Sequence, residues 1–216
     1  MNRLWLLGAV MCIVLQLPGS VQAGGVQVHS SFYECARQAV RQQEDLTKLA
    51  AMAAESKGQI TKMYLHWSAM PYEMAFDDYH INIGRFGEIR FTCQALTERK
   101  GHIWRRNSGA VGISMDCMLN GAYQDEKTNW GPCPPTNAQL RTMAKVVAVL
   151  ARGLELEISK ESVMTHAEAA ILDDYGIGSG DPETRWDLLF LIDPVSYEER
   201  PGGDLIRRMA LKETDI

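Results

Sequence analysis

The chain has 216 residues, 46% apolar and 23% charged, which suits one well-packed domain and excludes both a disordered chain and two large domains. A formal net charge of −5 with no Lys/Arg-rich run excludes a protein that wraps nucleic acid, because phosphate backbones call for a basic face.

Residues 1–23 read as a secretory signal. Arg3 supplies a positive start, residues 4–17 are almost wholly apolar, and Val21-Gln22-Ala23 forms a small-residue cleavage site. The apolar run is short for a membrane span. Cys12 lacks the preceding residues of a lipoprotein site, so no stable membrane anchor is expected. Cleavage after Ala23 would deliver the chain to the periplasm or the exterior and, by removing Arg3, take its charge from −5 to −6. Four cysteines then remain, Cys35, Cys93, Cys117 and Cys133, enough for two disulfides with three possible connectivities. No CxxC pair is present for a structural metal site. Cys117 and Cys133 flank a loop rich in Gly, Asn and Trp, and this is the pair expected to bond.

Ser30 and Ser31 are placed to cap a helix running to about Ser56, with Phe32, Cys35, Ala39, Leu46, Leu49 and Met52 as its apolar stripe. Lys57-Gly58 ends it. Residues 60–69 (ITKMYLHWSA) have strand character and place His66 at the strand end. Residues 79–83 (YHINI) and 89–93 are expected to form a hairpin around Gly87. A polar loop over residues 94–109 carries His102 and Asn107, residues 110–118 read as a buried strand, and residues 120–135 as a long loop. Thr136 caps the clearest helix, with Leu140, Met143, Val146, Val147 and Leu150 on one face and Gly153 at its end. A short strand at 163–166, a helix at 167–175, an apolar segment at 186–192 and a terminal helix at 204–212 complete the pass. The alternation predicts an α/β fold with a central mixed β-sheet flanked by helices, preceded by an extra N-terminal helix. The expected divisions are residues 1–23, 24–59, 60–192 and 193–216.

Histidine and carboxylate side chains concentrate at element ends. His66 ends a strand and His166 follows one; His80 lies within a strand, where alternation points it away from Tyr79 and marks it as a packing residue. Residues 165–188 (THAEAAILDDYGIGSGDPETRWDL) add Asp173, Asp174, Asp181 and Asp187 around a glycine-rich turn. That turn follows no strand and has the wrong spacing for a phosphate loop. The doublet Asp173-Asp174 reads as a solvated helix end.

Four segments, in order over about residues 60–191, resemble the zinc-dependent N-acetylmuramoyl-L-alanine amidases, which share a fold with peptidoglycan-recognition proteins and phage amidase-type lysozymes. They are LHWSA at 65–69, YHINIGRFGEI at 79–89, NSGAVGI at 107–113, and THAE at 165–168 with DPETRWD at 181–187. The resemblance implies a peptidoglycan-recognition-protein-like fold over 60–192 and hydrolysis of the amide between N-acetylmuramic acid and L-alanine. It also implies a zinc cofactor and peptidoglycan as substrate. His66, His166 and Asp181 would hold the Zn2+, leaving a fourth position for water. Tyr79 would be catalytic, and Ser179, two residues before Asp181, would face the developing charge. His102 and Asn107 would line the substrate cleft. Asp187 is the alternative third ligand; Asp181 is preferred because it precedes proline, as in the motif, leaving Asp187 and Arg185 as a structural pair. Ser114 stands where the cytoplasmic branch has a glutamate. Two alternatives stay open: a peptidoglycan-binding protein without catalysis, and an exported wall-degrading toxin, which would imply an inhibitor or immunity partner.

Overall fold

A computed structural model describes residues 26–181 and 184–214. The signal expected at residues 1–23 lies outside them. Two compact units are distinguished, residues 1–36 and 37–216. The described part of the first is the opening of helix α1 (Val26–Glu55). Everything that follows belongs to the second.

The central sheet is built from β1 (Lys62–Trp67), β2 (Ile81–Ile83), β3 (Ile89–Phe91), β4 (Ala110–Met115) and β7 (Val163–Thr165), in the order β3-β2-β4-β1-β7. Strands β2, β4, β1 and β7 run parallel, and β3 pairs antiparallel to β2 as the edge hairpin. The sheet is therefore mixed and flanked by helices. The hairpin turns through Gly87 at φ +86°, a left-handed backbone conformation open to glycine without strain. Strands β1 and β4 are buried along nearly their whole length, which is why both read as near-continuous apolar runs.

Strand alternation divides the interior in two. Met63, Leu65 and Trp67 of β1 join Val111, Ile113 and Met115 of β4 in the main core, with α2 (Asn137–Leu154), α4 (Gly202–Thr214) and Leu49, Met52 and Ala53 of α1. On the opposite face Tyr64 packs with Ile103, Ala110, Met164 and Ala169 under the 102–107 loop and α3 (His166–Leu172). This smaller cluster supports the functional face.

Thr136 caps α2 with a full capping box to Gln139, as the sequence suggests. The helix runs past Gly153, and Glu155 takes the left-handed terminal position instead. Gly153 serves close packing: a Cβ there would lie 2.5 Å from the Ala53 Cβ of α1. The start of α1 also differs, because Ser30 and Ser31 fall within the helix rather than capping it. Of the expected stripe, Leu49 and Met52 are buried and Leu46 packs against the core, whereas Cys35 and Ala39 are exposed.

The expected loop at 120–135 contains a hairpin of β5 (Ala122–Gln124) and β6 (Lys127–Asn129). Its two turn residues, Asp125 and Glu126, both have positive φ, the geometry usually signalled by Asn-Gly, so the sequence carries no such signal here. β8 (Phe190–Ile192) and β9 (Glu199–Pro201) form a further hairpin before α4. The expected Cys117–Cys133 disulfide is not formed: all four cysteines of the described chain are free thiols. A backbone hydrogen bond from Met118 N–H to the Cys133 carbonyl, 2.6 Å, joins the two ends of that loop instead.

At the end of β4, Asp116 is fully buried and accepts a 2.8 Å hydrogen bond from Arg90 at Oδ2, while Oδ1 has no partner among the described residues. Burial pushes its carboxyl up to about 7; Arg90 opposes this, and Glu73 and Glu88 add to it. The folded value lies above the ordinary 3.8, so the native state holds this proton more tightly than the unfolded chain does. That stabilisation is complete below about pH 4 and is lost as pH rises through about 7. Asp116→Asn, which keeps an oxygen for Arg90, is expected to remove the slope. Its urea midpoint should rise relative to the parent protein between pH 4 and 7 and then level off; a pH-independent difference would contradict this reading.

Candidate metal centre

β1 and β4 lie in register with His66 opposite Ser114 and Tyr64 opposite Gly112, so these four positions share one sheet face. His66 is fully buried there. His166 is the first residue of α3, immediately after β7. Thr165 caps α3, accepting from the Glu168 N–H while the Glu168 carboxylate accepts from the Thr165 N–H. Glu168 is gripped by Arg207 of α4 through bonds of 2.8 and 2.9 Å, and Arg207 also donates to the Val163 carbonyl. The helix end carrying His166 is thus fixed to both β7 and α4.

The third member arrives from residues 184–188. The Ala167 N–H donates to the Asp187 carbonyl at 3.1 Å, Arg185 N–H donates to Tyr175, and Trp186 packs edge-on against Trp67 with ring centres 4.8 Å apart. Leu188 is fully buried at φ +55° against Gly202, where a Cβ would come within 2.2 Å of the Leu188 carbonyl oxygen. These contacts hold the Asp187 carboxylate over the two imidazoles.

His66 Nδ1 and His166 Nδ1 are 3.1 Å apart, His166 Nδ1 and Asp187 Oδ2 3.2 Å, and His66 Nδ1 and Asp187 Oδ2 3.4 Å. Tetrahedral ligands bound at about 2.0–2.1 Å stand about 3.3 Å from one another. Two imidazoles and a carboxylate converging at this spacing could hold a metal ion, and they form the group of that kind among the described residues. Burial lowers the His66 pKa to about 4, and neighbouring His166 adds to the effect, whereas Asp187 opposes it. His66 is therefore neutral near pH 7, as a nitrogen ligand must be. Burial pushes the Asp187 carboxyl up, but the two histidines outweigh it and hold the group well below the usual carboxylate range. The donor set is two neutral nitrogens and one anionic oxygen.

A cleft of about 930 Å³ opens over this set. Tyr79, His102, Asn107, Trp104, Arg105, Asp181 and Arg185 contribute to its walls. The Tyr79 ring centre lies 5.1 Å from that of His66. Burial and the Asp187 charge raise the Tyr79 pKa, with Ser114 acting in the other direction, so the group is a protonated phenol at neutral pH and serves as a donor.

Two expected site residues are displaced. Asp181 lines the cleft but stands outside the metal-holding group, and Asp187 takes the place assigned to it. The physical reason is a turn: Asp181 N–H donates to Ser179 Oγ, and Thr184 N–H and Oγ1 both donate to the Asp181 carbonyl. This turn precedes the segment that reaches the histidines. Ser179 is exposed, bonded within that turn, and not among the cleft-lining residues. Arg185, two residues before Asp187, is the cleft residue that stands in the corresponding place. The spacing rule applied to Asp187 rather than Asp181 points to it.

The remaining histidines resolve cleanly. His80 Nδ1 accepts from the Gly112 N–H at 3.0 Å and its Nε2 lies 2.8 Å from the Glu98 carbonyl, so both nitrogens are used in packing, as expected. His102 reaches the cleft wall but is buried, with Nδ1 3.2 Å from His66 Nε2. Asn107 Oδ1 accepts from the Ile103 N–H, shaping the loop that carries His102. Asp173 is not a solvated helix end: Arg106 grips it with two bonds of 2.5 and 2.6 Å, tying the 102–107 loop to the end of α3.

No protein-family model, curated protein or solved structure matches the chain.

Asp187→Ala is expected to weaken zinc binding by more than the roughly 10–100-fold that outer-shell losses cost. Asp181→Ala should change it only a few-fold. Chelator-competition titration measures both, and the reverse order would return the ligand role to Asp181.

Proposed function

We propose that the chain is an exported zinc amidase that hydrolyses the amide between the lactyl group of N-acetylmuramic acid and L-alanine in peptidoglycan, with a peptidoglycan-recognition-protein-like domain. The observation that carries this reading is the convergence of His66 Nδ1, His166 Nδ1 and Asp187 Oδ2, 3.1–3.4 Å apart, beneath an open cleft that also holds Tyr79. Hydrolytic zinc sites use three protein ligands of this kind and leave one position for the reaction. Neutral imidazoles favour zinc over the oxygen-seeking calcium and magnesium ions.

When bound, zinc supplies Lewis acidity, drawing electron density from the scissile carbonyl and acidifying water. The chain supplies position and charge. Tyr79, held as a phenol, donates a hydrogen bond to the carbonyl oxygen as it gains negative charge. Arg185 on the same cleft wall adds a fixed positive charge that favours the same change. Ser114, buried opposite His66, occupies the place of the cytoplasmic branch's glutamate without offering a carboxylate. The exposed Trp104 ring, with the Arg105 guanidinium 4.2 Å from its centre, offers the sugar an apolar face and the stem peptide a cation.

Purified protein is expected to release free stem peptides from peptidoglycan, to lose this activity to a chelator and to regain it with zinc. Tyr79→Phe should lower kcat by roughly 100–1,000-fold, the usual cost of one oxyanion donor, while leaving zinc content unchanged. Binding to cell-wall sacculi with neither hydrolysis nor stoichiometric zinc would favour the non-catalytic binder instead.

A further inference from the structure

His102 lies just beyond the metal-holding group. Its ring is edge-on to His66, centre to centre 5.2 Å, and His102 Nδ1 stands 3.2 Å from His66 Nε2. The ring rests on Gly112 of β4, where a Cβ would fall 2.5 Å from His102 Cγ and 2.9 Å from Nδ1. Any larger residue at 112 would displace the imidazole. Gly112 is itself anchored, because its N–H donates to His80 Nδ1 and its carbonyl accepts from the His80 N–H. The opposite nitrogen of His102, Nε2, is buried without a partner among the described residues.

Proton placement follows from these contacts. His66 directs Nδ1 towards His166 and Asp187, so a metal there requires the lone pair at Nδ1 and the proton at Nε2. His66 Nε2–H then donates to His102 Nδ1, and His102 carries its own proton on Nε2. The reversed pair would put a proton on His66 Nδ1, in the position a metal would take. A buried N–H without a partner is costly, and native proteins rarely keep one without a reason. Seating His66 in its metal-binding tautomer is such a reason.

We propose that His102 is a positioning residue: seated in the slot left by Gly112, it accepts the His66 Nε2–H and so fixes the ring orientation and tautomer that present His66 Nδ1 to the metal. This assigns His102 a role different from substrate contact. Its Nδ1 is engaged by His66 and its Nε2 is inaccessible, so neither nitrogen is available to a substrate in the cleft. The proposal rests on the metal reading above and concerns how the site is held.

The test is zinc affinity of the full chain, measured by competition with a chromophoric chelator. His102→Leu removes the acceptor and should weaken zinc binding by roughly 10–100-fold. His102→Asn can place Oδ1 near the former Nδ1 and should recover affinity to within a few-fold. Gly112→Ala leaves the His102 chemistry intact but pushes the ring away, and should weaken zinc binding as His102→Leu does. Nitrogen-15 NMR of the zinc-loaded parent protein, which needs no variant to fold, should show His66 protonated at Nε2. Unchanged affinity in His102→Leu, equal losses in Leu and Asn, or an unprotonated His66 Nε2 would each overturn the proposal while leaving the metal site intact. Failure of the parent protein to bind zinc would overturn the metal reading and this proposal with it.

Discussion

The Ala167 N–H to Asp187 carbonyl bond is the contact on which the site depends. It brings a segment twenty residues downstream of α3 back onto the start of that helix, and so carries the carboxylate to within 3.4 Å of both histidine nitrogens. Without it His66 and His166 would be two buried imidazoles facing each other without an anion. The supports around it are of different kinds: the Thr165–Glu168 capping box, the Arg207 grip on Glu168, the Trp67–Trp186 contact and the tight packing of Gly202 against Leu188. A site set on a strand end and a helix start, both fixed by neighbouring elements, can hold its donors at ligand spacing before any ligand arrives.

The polar groups gathered here are costly to bury, and the fold limits that cost by pairing them. His80 uses both nitrogens, Arg106 grips Asp173, and Arg207 is bonded to Glu168, Asp204 and a strand carbonyl. The exceptions among the described residues are His102 Nε2, Asp116 Oδ1 and the Tyr175 hydroxyl. Of these, the His102 ring touches His66 directly, and the Tyr175 ring lies 6.0 Å from His166, centre to centre. Two of the three groups left unsatisfied thus border the metal-holding set, where function rather than stability decides the arrangement.

Much of the scaffold is legible in the sequence because its signals are local. The apolar runs at β1 and β4, the Gly87 hairpin and the Thr136 capping box each declare themselves within a few residues. His66 and His166 are legible too, since each stands at the end of a strand. The choice between Asp181 and Asp187 is not local. It is decided by a backbone bond from Ala167 and by a turn that closes on Asp181, and neither is encoded in the Asp-Pro spacing that favoured Asp181. Ser179 was displaced with it, because its assignment counted back from the wrong aspartate. The β5–β6 hairpin was missed because Asp125-Glu126 adopts a turn geometry without the residues that usually announce it. The role of His102 depends on a glycine on another strand, a relation only the three-dimensional arrangement reveals.

The most direct test of the central claim is anomalous diffraction at the zinc edge from crystals of the zinc-loaded protein. The account predicts one strong peak within bonding distance of His66 Nδ1, His166 Nδ1 and Asp187 Oδ2, with its remaining side open to the cleft. A peak ligated by Asp181 in place of Asp187, or no peak between the two histidines, would contradict it.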